Sequence, residues 1–128
     1  MKKLIFALFV LLIVWSCFPS QKSGSSERHS TIKSDSTEYE ITIIDIDFDQ
    51  WYLINYSLAK DYSNEYYRSK NMVAVSSWND YFTRNRYHRV IENYIYYDNS
   101  VDYGIDVNRK LFWYFKYAEE TYKIRLFF

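Results

Sequence analysis

Seven side chains near the C-terminal end, Tyr103, Val107, Leu111, Tyr114, Phe115, Ala118 and Tyr122, recur at steps of four and three. Residues so spaced share one side of an α-helix. A stripe this complete has to be buried, so the chain is committed to a packed domain that includes this helix. Asp102, just ahead of the stripe, is placed to cap it. Aromatic residues make up 22% of the chain, 15 of them tyrosine, so the domain has large side chains with which to build a core.

Upstream, Tyr39–Ile44 is β-branched and partly alternating, the pattern of a first strand. Asp49 reads as the N-cap of a short helix, with Phe48 stapled to Leu53 and with Trp51, Ile54 and Leu58 on one side. Ser63 caps a second, longer helix that places Tyr67, Ala74, Trp78, Tyr81 and Phe82 on one face. Met72–Val75 also suits a strand, yet it falls within that helical period. Asn85–Arg89 is a polar connection, Ile91–Tyr97 reads as a second strand, and Asp98-Asn99-Ser100 supplies turn chemistry. The expected order is β-α-α-β-α: an α+β domain with helices packed on one face of a short sheet. Two strands alone are marginal, so the helices must supply most of the burial, and a third strand or an oligomer would complete the sheet.

The N-terminal part has a different character. Met-Lys-Lys precedes an unbroken apolar run of 12 residues, Leu4–Trp15, followed by Ser16-Cys17. A basic start, a short apolar stretch and a small residue before a cut form an export signal. As a helix the run spans about 18 Å, short of the roughly 30 Å hydrocarbon core, so it makes a poor permanent anchor. Phe18–Thr37 holds seven serines, two threonines and little to bury, and it is expected to be a flexible tether with a root-mean-square reach of about 25 Å. The chain of 128 residues thus divides into a leader at 1–16, Cys17 with a Ser-rich linker through 37, and one domain from 38 to 128.

Charge and cysteine usage narrow the function. Sixteen basic and sixteen acidic residues leave no net charge at pH 7, which argues against nucleic acid as a partner. One cysteine excludes a disulfide framework and a thiolate zinc cluster. Asp45, Asp47 and Asp49 alternate like the opening of a calcium loop, but Gln50 stands where a glycine is needed and Tyr56 where a bidentate glutamate is needed. The expectation is therefore no metal and no cofactor. Asp45 with Asp98 is a conceivable acid–base pair, whereas Glu119 and Glu120 diverge on a helix, and Asp102 and Asp106 suit a first helical turn without any catalytic role. His88 is the single histidine of the expected domain, in an arginine-rich connection.

Arg84, Arg86 and Arg89, set among Tyr81, Phe82 and Tyr87, have the composition of an anion- or ring-binding segment. Off the helical stripes stand Tyr66, Tyr96, Trp113 and Tyr117, the aromatics free to meet a partner. The candidate ligand contacts are accordingly Arg84, Arg86, His88, Arg89, Tyr66 and Trp113, and none is assigned a catalytic role.

Two resemblances add to this reading. Ile13-Val14-Trp15-Ser16-Cys17 resembles the lipobox of bacterial lipoproteins, in which the cysteine sulfur receives diacylglycerol and the cut chain is acylated further, palmitate among the acyl groups. It departs from the usual pattern at Trp15 and Val14. The domain is similar to an uncharacterised family of small Bacteroidota-type lipoproteins. That similarity rests on Asp45, Phe48-Asp49, Trp51, Ser63, Glu65-Tyr66, Lys70-Asn71, Trp78-Asn79, Tyr87 and Asp98, and above all on Asp102-Tyr103-Gly104 with Asn108, Leu111 and Tyr114-Phe115. The resemblance implies a lipid on Cys17 and a place in the bacterial cell envelope, at the outer membrane rather than the inner. It implies no activity. The expected role is non-catalytic binding or scaffolding, with an envelope protein or glycan as partner. The alternatives are a glycan- or lipid-headgroup-binding module and an envelope hydrolase.

Overall fold

The computed structural model describes residues 29–35 and 38–127. The leader, Cys17 and the first part of the expected tether lie outside these residues. Strands β1 (His29–Asp35) and β2 (Glu38–Ile44) pair antiparallel, from His29 opposite Ile44 to Asp35 opposite Glu38. Helices α1 (Ile46–Asn55), α2 (Asn64–Thr83) and α3 (Ile105–Tyr122) follow, with one 3-10 turn at Leu58–Lys60 between the first two. The class is α+β.

β2 is the expected first strand, but its partner comes from within the stretch assigned to the tether. The ordered backbone therefore reaches back past Glu38 to His29. A ladder is made by backbone groups, so a Ser- and Thr-containing segment can enter it without an apolar side of its own. Ile32, opposite Ile41, adds a half-buried contact with the core.

Ile91–Tyr97, expected as a second strand, forms no regular element and joins no ladder. Side chains of α2 take the place of a neighbouring strand. Asn79 donates from Nδ2 to the Ile95 carbonyl at 2.8 Å and accepts the Ile95 amide on Oδ1 at 2.9 Å. The Trp78 indole donates to the Asn93 carbonyl at 2.8 Å. The C-terminal segment is held in the same way. Ser77 Oγ donates to Leu126 O and the Tyr81 hydroxyl to Arg125 O, both at 3.0 Å. Glu119 Oε1 accepts the Leu126 and Phe127 amides at 2.8 and 3.0 Å. Lys123, left-handed at φ 56°, ends α3 and turns the chain so that Ile124 and Leu126 are buried.

The start of α1 differs from expectation by about one turn and that of α3 by about half a turn. Asp45, not Asp49, caps α1: its Oδ1 accepts the Asp47 and Phe48 amides at 3.1 and 3.2 Å. The earlier start rotates the helix so that Phe48 enters the core while Leu53, its expected staple partner, faces outward, as do Ile54 and Leu58. α2 starts as expected, with Ser63 Oγ accepting the Tyr66 amide at 3.2 Å, and it runs unbroken through Met72–Val75. Its face buries Tyr67, Ala74, Trp78 and Tyr81, whereas Phe82 is exposed. α3 is capped at Gly104, not Asp102. Asp102 Oδ1 accepts the Gly104 amide at 3.0 Å in a tight turn, and Gly104 takes φ 82°, a conformation that disfavours any side chain.

The core is aromatic and centred on the expected α3 stripe. Val107, Leu111, Tyr114, Phe115 and Ala118 are all buried, joined by Phe48, Trp78, Ile91 and Ile95, while Tyr103 and Tyr122 pack at its edge. Edge-to-face and tilted contacts tie Phe48 to Tyr114 and Trp78 to Tyr114 and Phe115, at centroid distances of 5.3 to 5.8 Å. No helix among the described residues is long and apolar enough to cross a membrane.

Candidate functional site

The 3-10 turn after α1 delivers Asp61 to the outer side of α3, where it meets Arg109. The two form a fork: Arg109 Nε donates to Asp61 Oδ1 at 2.9 Å and Nη2 to Oδ2 at 2.8 Å. Bidentate pairing of this kind is the strongest form of ion pair. The Tyr67 hydroxyl donates to the same Oδ1 at 2.5 Å, and the Tyr62 amide donates to it at 3.1 Å. The remaining nitrogen, Nη1, reaches Asp106 Oδ1 at 2.5 Å. The Arg109 hydrogen bonds, reinforced by those from Tyr67 and Tyr62, hold the Asp61 carboxyl down to about 2. Its partners move the other way. Asp61 raises Arg109, and burial, aided by Asp61, raises Tyr67.

Aromatic rings surround this charged clamp. The Arg109 guanidinium lies 5.7 Å from the Tyr56 ring centroid, Tyr56 stacks on Tyr52 at 4.9 Å, and both meet Trp113 edge-on. Burial pushes the Tyr52 phenol up to about 12, so it stays a neutral donor at any physiological pH. On the far side, Tyr62 and Tyr66 stack at 4.3 Å and remain 46% and 37% exposed. Both contact Phe112, which also meets Trp113 and Phe127. The Lys70 ammonium sits 5.8 Å from the Tyr66 ring. The surface thus offers an exposed π-stack with a cation at one edge and the exposed Asp106 carboxylate beyond the clamp. Such a surface can stack on a planar or sugar ring and hydrogen-bond its rim.

Two of the expected contact residues, Tyr66 and Trp113, belong to this surface and are linked through Phe112. The other four lie on the turn after α2. There Arg84 pairs with Asp80 at 2.9 Å, and Arg86 lies over the Tyr81 and Tyr87 rings at 5.3 and 5.0 Å. His88 and Arg89 are exposed on the same turn. Asn85 and Tyr87 adopt positive φ of 54° and 57°, which lets this connection fold back on α2.

The carboxylates considered for acid–base chemistry sit in structural roles. Asp45 is buried as a cap, and the Tyr117 and Tyr122 hydroxyls lie 3.4 and 3.2 Å from its two oxygens. Asp98 closes its own turn through Ser100, which lowers its carboxyl. Asp102 is lowered by the Gly104 amide and by Asn64. Among the described residues no three histidine, cysteine or acidic side chains converge as metal ligands.

A second polar network lies under the Asp102–Asn108 segment. Asn108 is fully buried: its Oδ1 accepts from the Tyr97 hydroxyl, its Nδ2 donates to Asn64 Oδ1, and its carbonyl accepts from Asn71 Nδ2, each at 2.8 Å. Tyr97 stacks on Tyr103 at 5.0 Å, and burial raises its hydroxyl. This network fixes the start of α3 against α2 and the 91–97 segment.

Asp61, Arg109 and Tyr62 were not singled out in the sequence. Forty-eight residues separate the ion pair, and neither member lies in a motif. No local signal sets Arg109 apart from Lys110 and Lys116 on the same helix.

The fold and this surface define a small α+β domain that presents an aromatic face braced by a buried-edge ion pair. The chain belongs to DUF6146, a family of unknown function, which it matches over residues 4–127. No curated protein and no solved structure matches it.

Proposed function

We propose that the protein is a bacterial envelope lipoprotein, anchored by diacylglycerol and further acyl chains on Cys17, whose domain binds or scaffolds an envelope partner without catalysing a reaction. The observation that carries this reading is Ser16-Cys17 directly after a basic start and a 12-residue apolar run. Several acyl chains on one residue give stable anchoring where a single chain gives only marginal binding. The binding role is supported by the exposed Tyr62–Tyr66 stack, which the clamp beneath it holds in place, and by Asp45 and Asp98, the pair considered for acid–base chemistry, which serve a cap and a turn. The family match extends through residues 4–127, so the apolar run of the leader and the cysteine fall within the matched stretch. An outer-membrane location and a Bacteroidota-type source are part of the same proposal.

Metabolic labelling with palmitate tests the anchor: label enters the wild-type chain and not the C17S variant. Label in both, or in neither, contradicts it. In-membrane crosslinking tests the face, because a partner held by the aromatic stack is lost from a Y62A/Y66A variant that keeps its anchor and fold. The Lys70 ammonium beside Tyr66 favours a second reading, an anionic glycan or headgroup, in which K70E abolishes capture.

A further inference from the structure

Helix α1 carries apolar residues on its exposed side as well as on its buried one. Phe48, Trp51 and Tyr52 face the core, together with Asn55. Ile46, Leu53 and Ile54 face away and are 73%, 80% and 80% exposed, and Leu58 on the following turn is 81% exposed. At 100° per residue, Ile46, Gln50 and Leu53 form the ridge opposite the buried one, with Ile54 on one flank and Asp49 on the other. A surface helix normally places polar residues there; Gln50, Asp47 and Asp49 do so, whereas Ile46, Leu53 and Ile54 leave apolar surface uncovered beside them.

Where the chain enters the domain points to that partner. His29 pairs with Ile44, the residue just before the α1 cap, so the segment leading back to Cys17 leaves the domain beside the start of this helix. Ile44 is itself 50% exposed. Twelve residue steps separate Cys17 from His29, at most about 40 Å when fully extended. A lipid on Cys17 would therefore tether the domain by this edge, within about 40 Å of the bilayer. α1 carries no lysine or arginine, and Asp47 and Asp49 lie in its first turn, so a membrane contact here would be made by its apolar side chains and not by attraction to anionic headgroups.

We infer that α1 lies on the membrane surface, with Ile46, Leu53, Ile54 and Leu58 seated at the boundary of headgroups and acyl chains, and that this contact fixes which side of the domain faces outward. This rests on the lipid-anchor reading. The docked helix is a bilayer contact parallel to the surface and not a span, being only about 15 Å long.

The test uses lipidated protein in phosphatidylcholine–phosphatidylethanolamine vesicles, with bromine on the acyl chains of the phosphatidylcholine as the quencher. Two variants each add one tryptophan at an exposed site: L53W on α1 and Y96W on the 91–97 segment. The added L53W fluorescence should be quenched at least about twofold more than that of Y96W, and the difference should persist in high salt. Equal quenching, or a difference that salt abolishes, overturns the inference. So does an unquenched L53W in a chain that sediments as a dimer, because a second copy would then cover the ridge. The mass of the purified protein reports on Cys17 separately. If the thiol is bare, coupling it to a maleimide-bearing phosphatidylethanolamine supplies the tether, and the same comparison decides whether α1 docks.

Discussion

Replacing Asp61 by asparagine removes the negative half of the clamp while preserving its shape. The carboxyl is held at about 2 against an ordinary 3.8, which at 1.36 kcal/mol per pH unit corresponds to about 2 kcal/mol. Asp61 retains 19% exposure and Arg109 15%, and screening by water reduces the figure to about 1–2 kcal/mol. The sign is fixed by the direction. A depressed folded-state value stabilises the domain above the unfolded value near 4, and that contribution is lost as pH falls through the folded value near 2. Urea unfolding followed by tryptophan fluorescence at pH 7 should show D61N less stable by about 1–2 kcal/mol, a drop in Tm of roughly 4–16 °C for a domain of this size. At pH 2 the two proteins should nearly converge. Asp98 and Asp102 are also depressed, so both proteins weaken in acid, and only their difference reports on Asp61. A gap that is absent at pH 7, or unchanged between pH 7 and pH 2, would refute the assignment of this ion pair.

Asn79→Ala removes both side-chain hydrogen bonds to Ile95 and should cost about 1–3 kcal/mol, with amide exchange accelerated across 91–97 before the helices open. Leu111→Ala, at a fully buried position on the α3 stripe, should cost about 2–5 kcal/mol by chemical denaturation. Asp45→Ala should cost about 1–2 kcal/mol and speed exchange in the first turn of α1, while Asp45→Asn, which still accepts the capping amides, should recover most of the loss.

The α3 stripe and the Ser63 cap were readable because each depends on local spacing. A period of three and four residues states which face is buried, and a serine before a helix states where the first turn closes. Ile91–Tyr97 has the composition of a strand but forms none, since composition does not report which group satisfies the backbone. Here that group is the amide of Asn79, sixteen residues away. The His29–Asp35 strand was hidden because its contribution is backbone pairing, to which side-chain polarity is no guide. In Asp45-Ile46-Asp47-Phe48-Asp49 three acids compete to cap one helix, and Asp45 succeeds because only that start turns Phe48 into the core. The candidate surface was half readable. Tyr66 and Trp113 stood out by lying off the stripes, but the Asp61–Arg109 clamp joins distant segments through tertiary packing alone.

The most direct measurement is the intact mass of the mature protein extracted from the producing cell's membranes. The account predicts a chain starting at Cys17 and carrying diacylglycerol with at least one further acyl group. A chain that retains residues 1–16, or begins elsewhere with an unmodified Cys17, would contradict it.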